Sequence, residues 1–247
     1  MKRVIILIAI ISIYLSLYAI FSNLKIEKKV ELEGLKEEII TKVNITTNRS
    51  VVLFIPAVDN NGNGIMTKLI VEAKPGNGKV LIDIDNLFFW IDTQQSIRTA
   101  KKVAEKYLKM NLSNYDLIYK IETNAQVVGG PSAGAAITIA TILALLDKQP
   151  NKNVSITGTI NEDGTIGQVG AVYEKAKAAK DFGIKIFLVP KDQSIETELI
   201  PKKECTKVMN FEFCTITYEV NKINIGEKVG IKVIEVSNIE EAIKYFL

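Results

Sequence analysis

After Met1-Lys2-Arg3 the chain runs uncharged from Val4 to Phe21, mostly Ile and Leu. Residues 22–38 are charged and mixed, and from about Ile39 the pattern turns globular. Val51 to Pro56 is an apolar strand, Asp59 to Gly64 a turn (Asp-Asn-Asn-Gly-Asn-Gly), and Met66 to Ala73 the returning strand. Val80 to Ile84 reads as a further strand. Asp92 and Gln95 form a capping pair. They open a helix with Ile97, Ala100, Val103, Ala104, Tyr107 and Leu108 on one face. Leu117 to Ile121 is a strand, and Ser132 to Leu146 a helix so apolar on every side that it belongs in the core. Val154 to Thr157 and Thr165 to Val169 are short strands. Ala171 to Phe182 is an amphipathic helix, followed by the strand Lys185 to Val189. A polar, hairpin-like stretch occupies Lys191 to about Lys228, and the chain closes with the strand Ile231 to Val236 and the helix Ile239 to Phe246. Strands and helices interleave, which predicts an α/β (α+β) fold, a mixed sheet packed with helices, over residues 39–247.

The first apolar run changes this picture from a simple globule to a tethered one. Its 18 residues span ~27 Å as a helix, enough for the hydrocarbon layer of a bilayer. The expectation is one N-terminal transmembrane helix over 4–21, with 1–3 as a short tail and 22–38 as a linker. A signal peptide has a shorter apolar part and ends in a small-x-small site, which Ala19-Ile20-Phe21-Ser22 matches poorly, so an uncleaved anchor is expected. Lys2 and Arg3 favour an internal N-terminus, against the pull of Lys25, Lys28 and Lys29 beyond the span. The reading is a single-pass cell-membrane protein whose domain lies outside.

Composition then removes several kinds of chemistry. The 247 residues carry a formal charge of +3, spread along the chain without a basic block, so no nucleic-acid partner is expected. There is no histidine. That rules out a Ser-His-Asp triad and a Cys-His pair, and deprives zinc of its commonest ligand. Proton transfer falls to Lys, Asp, Glu, Tyr or a terminus. The Asp59 turn imitates a calcium loop, but its twelfth position is Ile70, where a bidentate Glu is needed. No metal and no cofactor are expected. Cys205 and Cys214 flank a turn within a strand–turn–strand segment; a disulfide and two separate thiols both fit.

Two segments carry candidate chemistry. In Gly129-Gly130-Pro131-Ser132-Ala133-Gly134 the glycines allow a tight turn, and Pro131 suits a first helical turn. Ser132 then stands at a helix start whose N–H groups and dipole favour negative charge. Serine is also an ordinary N-cap. In the helix Ala171–Phe182, stepping about 100° per residue puts Lys175 in the middle of the apolar face with Ala171, Val172, Ala176, Ala178, Ala179 and Phe182. Burial lowers a lysine pKa and makes it a competent base near neutral pH, although a lysine can also snorkel to water.

Together these segments resemble the proteolytic domain of the Lon proteases. Gly130-Pro131-Ser132-Ala133-Gly134 is similar to that family's nucleophile motif. Thr157-Gly158, Gly164-Thr165-Ile166-Gly167-Gln168-Val169-Gly170 and Glu174-Lys175 are similar to its second block, which ends in the catalytic lysine. The Ser-to-Lys separation of 43, Ala178-Ala179, Gly183-Ile184-Lys185 and Val189-Pro190-Lys191 also match. The resemblance implies that Ser132 is the nucleophile, Lys175 its base and Thr157 a residue that helps hold the lysine, with Gly130 and Ala133 supporting. The chain departs from the family with Gly129 before Gly-Pro-Ser and with Thr159 after Thr-Gly, and its polar stretch over about 192–228 is longer. No Gly-x-x-x-x-Gly-Lys-Ser/Thr phosphate loop occurs in it. The expectation is a serine endopeptidase that cleaves unfolded or membrane-associated proteins without its own ATPase, as a homo-oligomer or with a separate partner protein. The rival readings are a catalytically inactive, membrane-tethered peptide-binding module and an enzyme confined to autoprocessing.

Overall fold

The computed structural model describes residues 48–83, 91–123, 130–208 and 211–247. The expected anchor over 4–21, the linker over 22–38 and the start of the domain at 39 lie outside the described residues. Among the described residues, no helix is long and apolar enough to cross a membrane.

The elements in chain order are β1 (Arg49–Val58), β2 (Gly64–Pro75), β3 (Val80–Ile82), α1 (Ile91–Leu108), β4 (Tyr115–Glu122), a 3₁₀ turn (Pro131–Ala133), α2 (Gly134–Leu146), β5 (Val154–Ile156), β6 (Thr159–Ile160), β7 (Ile166–Gly167), α3 (Val172–Phe182), β8 (Ile186–Pro190), β9 (Ile195–Val208), β10 (Phe211–Asn224), α4 (Ile225–Val229), β11 (Lys232–Val236) and α5 (Ile239–Ala242), the last continuing into a 3₁₀ turn (Ile243–Tyr245). The α/β interleaving expected from the pattern is present, but the strands form several sheets rather than one. A four-stranded sheet has the order β1-β2-β4-β3, and a three-stranded one the order β11-β8-β5; β6–β7 and β9–β10 are separate ribbons.

In the first sheet β1, β2 and β4 are antiparallel neighbours, and β3 joins β4 in parallel. The alternation that made β1 and β2 legible is the burial pattern itself: Val51, Leu53 and Ile55 face inward, as do Leu69, Val71 and Ala73. Both α2 and α3 pack on β1 and β2, and α1 packs on α2. Every residue of α2 from Gly134 to Leu145 is buried, as its all-round apolar composition requires. Buried polar groups are paired: Tyr119 Oη on β4 meets Thr141 Oγ1 on α2 at 2.9 Å, and Ser155 Oγ on β5 donates to Phe54 O on β1 at 2.8 Å. The three-stranded sheet is parallel throughout, Ile156 pairing with Leu188 and Leu188 with Ile234.

Three local expectations need correction. Asp92 lies inside the first described turn of α1, with Ser96 Oγ donating to its carbonyl, so it does not cap the helix from outside. Phe182 is half-exposed at the end of α3, its ring 4.7 Å from that of Phe54, because the helix ends there at a left-handed Gly183. The stretch read as polar is a long ribbon with many exposed apolar side chains, as described below. The Asp59 carboxylate accepts from the N–H groups of Asn61 and Asn63 at 2.9 and 2.8 Å, which makes it the organiser of the β1–β2 turn.

Candidate active site

Ser132 sits in the 3₁₀ turn that leads into α2, with Pro131 in the first position. The α-helix itself starts only at Gly134, two residues later than the pattern implied. Across this turn lies Gly158: its N–H donates to Ser132 O at 2.9 Å, and its own carbonyl accepts from Ala135 N at 3.0 Å. These bonds engage Ser132 O and Ala135 N outside the helical ladder, and the chain tightens to i→i+3 there. Gly134 is required by contact, since a Cβ on it would stand 2.9 Å from Ile160 N. Gly130 is extended, at φ 164°, with open space where a Cβ would be. The tight turn expected of the two glycines is therefore not formed at Gly130, and Gly129 lies outside the described residues.

Thr157 follows β5, is fully buried, and extends the β5–β8 pairing through Thr157 N to Leu188 O at 3.1 Å. Its hydroxyl donates to Ser132 O at 3.4 Å. The two motif blocks, far apart in the chain, thus meet at the Ser132 carbonyl.

Lys175 lies on the inner face of α3 with Val172, Ala176, Ala178 and Ala179, and only 4% of it is exposed. Burial depresses its pKa from the ordinary 10.5 to about 8, against an opposing pull from Glu174. Its Nζ donates to Gly170 O at 3.0 Å. Among the described residues it makes no hydrogen bond to Ser132 or to Thr157. The structure bonds Thr157 and Gly158 directly to Ser132, leaves Ala133 beside Ser132 in the same 3₁₀ turn, and places Lys175 on the helix that follows the Gly170 bend.

The sequence did not reveal what fixes that bend. The Gln193 amide grips Val169 at both backbone groups, accepting from Val169 N at 2.9 Å and donating to Val169 O at 2.7 Å. Gln193 is itself fixed, its N–H bonding to Pro190 O at 3.2 Å, while the neighbouring Ser194 donates to the Glu235 carboxylate from both N and Oγ. Those bonds hold Glu235 below the usual carboxylate range. The one signal available was the proximity of Gln193 to the Val189-Pro190-Lys191 block. Beside this bend lies a surface pocket of about 340 Å³ lined by Gly170, Ala171, Gln193, Ile195, Thr197 and their neighbours.

Chemically, the arrangement offers a hydroxyl at a helix entry and a desolvated amine that is neutral in a sizeable fraction near pH 8. Gly134 N bonds Pro131 O and Ala135 N bonds Gly158 O, so neither amide is free to serve an incoming anion.

Residues 91–227 match the family described as the Lon protease (S16) C-terminal proteolytic domain. The archaeal Lon protease of Methanocaldococcus jannaschii is 31% identical over 167 residues, which is 62% of this chain and 26% of that protein. The Lon protease of Fusobacterium nucleatum is 30% identical over 138 residues, 51% of this chain and 18% of that protein. The Lon protease of Fervidobacterium nodosum is 29% identical over 170 residues, 65% and 20%. The chain thus spans about a quarter or less of the length of these curated relatives. The family match covers more than half of the chain and includes Ser132, Thr157 and Lys175: this protein belongs to the Lon protease (S16) C-terminal proteolytic domain family.

Proposed function

We propose that the protein is a serine endopeptidase in which Ser132 and Lys175 form the catalytic pair. The observation that carries this is the burial of Lys175 in a helix face otherwise made of small apolar side chains, with its pKa lowered to about 8. A charged group in such a place costs stability, and a neutral amine there has a use. Lys175 Nζ takes the Ser132 Oγ proton as Oγ bonds to the peptide carbonyl carbon. The backbone N–H groups of Gly130, Ser132 and Ala133 receive the oxyanion, since Pro131 has none and those of Gly134 and Ala135 are engaged. The C–N bond then breaks, the leaving amine takes the proton from Lys175, and water releases the acyl group by the same route in reverse. The bond from Lys175 to Gly170 is the resting arrangement; catalytic hydrogen bonds commonly tighten only with substrate bound.

Unfolded or membrane-associated polypeptides are the substrates in this reading, and they are cut without ATP. The apolar run Val4–Phe21 tethers the domain to the membrane. The Cys205–Cys214 disulfide supports an external, oxidising location. The test incubates the full chain, in detergent and without nucleotide, with a reduced and alkylated protein. Wild type cleaves; Ser132→Ala and Lys175→Ala each lose at least about 10³-fold. Cleavage that persists in Ser132→Ala refutes the pair, and inertness of all three favours the non-catalytic binding module.

A further inference from the structure

The 14-residue strands β9 and β10 form a two-stranded ribbon whose arms reach ~46 Å at ~3.3 Å per residue. Residues 195–206 and 212–222 are all exposed. The register fixes which of them share a face, since Cys205 lies opposite Cys214 and the disulfide joins them. One face then carries Ile195, Leu199, Pro201, Ile216, Tyr218 and Val220. Apart from Pro201, each of these is between 52 and 63% exposed; Leu199, Pro201, Ile216, Tyr218 and Val220 adjoin one another, and Ile195 stands beyond the Thr197–Lys222 pair. The charged residues on that face with described side chains are Lys203, Lys222 and Glu212. The other face bears Glu196, Glu198, Glu204 and Glu219 against Lys202, and its strands are otherwise rich in threonine, with Ile200 and Phe213 as its large apolar groups. Lys202 and Glu219 pair there at 3.2 Å.

An exposed apolar stripe of this size on an otherwise ordinary surface marks an interaction site. Two features narrow the occupant. Two lysines and one glutamate accompany the stripe, against four glutamates and one lysine on the opposite face, a balance that matches a negatively charged partner on the striped side. Tyr218 sits in the middle of the stripe, a residue type suited to the boundary between headgroups and acyl chains. We infer that the striped face of the β9–β10 ribbon lies on an anionic bilayer surface, with the apolar side chains in the interface, the lysines among the headgroups and the glutamate face towards water. This rests on the membrane-tethered reading above and adds a second, orienting contact. The pocket beside Gly170 is lined by Ile195, Glu196 and Thr197 at the base of the ribbon, so the contact would hold the candidate active site at a set height above the lipid.

The test uses the full chain in vesicles with acyl-brominated lipids, either pure phosphatidylcholine or one third phosphatidylglycerol. Trp90→Phe removes the chain's one tryptophan, and a probe is introduced as Tyr218→Trp on the striped face or Thr217→Trp on the other. A thiol titration verifies the disulfide in each variant. Bromolipid quenching at position 218 should exceed that at 217 by about threefold or more in the anionic vesicles, and should fall to the level at 217 in 0.5 M salt or in Lys203→Glu/Lys222→Glu. Equal quenching at both positions, in a chain that still floats with the vesicles, overturns the ribbon contact and leaves the tether standing. Failure to float overturns the tether and this inference with it. A change at 218 that needs added unfolded polypeptide, or that scales with protein concentration, overturns it in favour of substrate docking or self-association.

Discussion

With 4% of its surface exposed, Lys175 sets stability against chemistry. Its folded pKa of about 8 lies below the ordinary 10.5, so between those values the unfolded chain binds more protons than the folded one. The burial penalty is therefore complete below pH 8 and is relieved as the pH rises towards 10.5. Lys175→Met removes the charge and keeps most of the volume. It should raise stability at pH 7 by ~1–3 kcal/mol while abolishing cleavage; denaturant titrations at pH 7 and pH 10 should show the gain shrinking at the higher pH, and a loss at pH 7 would contradict this reading. Gln193 acts one step away, through the Val169–Gly170 bend. Gln193→Ala should lower kcat about 10–100-fold with little change in Tm. The midpoint of its pH–rate profile should move upward, because water reaching a loosened site restores the ordinary lysine pKa. An unmoved midpoint would make Gln193 a purely structural residue. The burial of Lys175 was legible from helical periodicity alone. Gln193 was not, since its grip on Val169 spans 24 residues and depends on how β8 and the Gly170 bend come to lie side by side.

At the level of elements, the helix that carries Lys175 is held at the right depth by β2. A Cβ on Gly64, the first residue of β2, would land on the Glu174 carbonyl, one residue before the lysine. Helix and strand meet backbone to backbone there, which no residue but glycine allows. Gly64→Ala should therefore destabilise the fold by ~1–3 kcal/mol and cut activity as α3 shifts; unchanged kinetics in thermally stable protein would refute the contact. Most strands and helices followed from their hydrophobic period, because β1, β2, α1 and α3 each bury one face. Two features did not. The 3₁₀ turn at Ser132 depends on Gly158, a residue 26 positions on that engages Ser132 O and Ala135 N. The ribbon read as polar because its charged residues were counted over both faces, and only the register separates the apolar side from the acidic one.

For the whole molecule, the mixture of strands and helices was predictable, while the division into a four-stranded mixed sheet and a three-stranded parallel one was not. Sheet order is set by which edges meet, and single-strand patterns do not encode that. The family match covers 91–227, and within it Thr157 and Gly158 meet the Gly-Pro-Ser segment at the Ser132 carbonyl. The central claim is that a neutral Lys175 activates Ser132. The most direct measurement is the pH dependence of kcat/KM for an unstructured peptide from about pH 6 to 10, beside Ser132→Ala and Lys175→Arg. The rate should climb about tenfold per pH unit and level off above about 8, where the lysine has lost its proton, with both variants inactive throughout. A flat profile in the wild type, or cleavage by Lys175→Arg, which cannot deprotonate in this range, would contradict it.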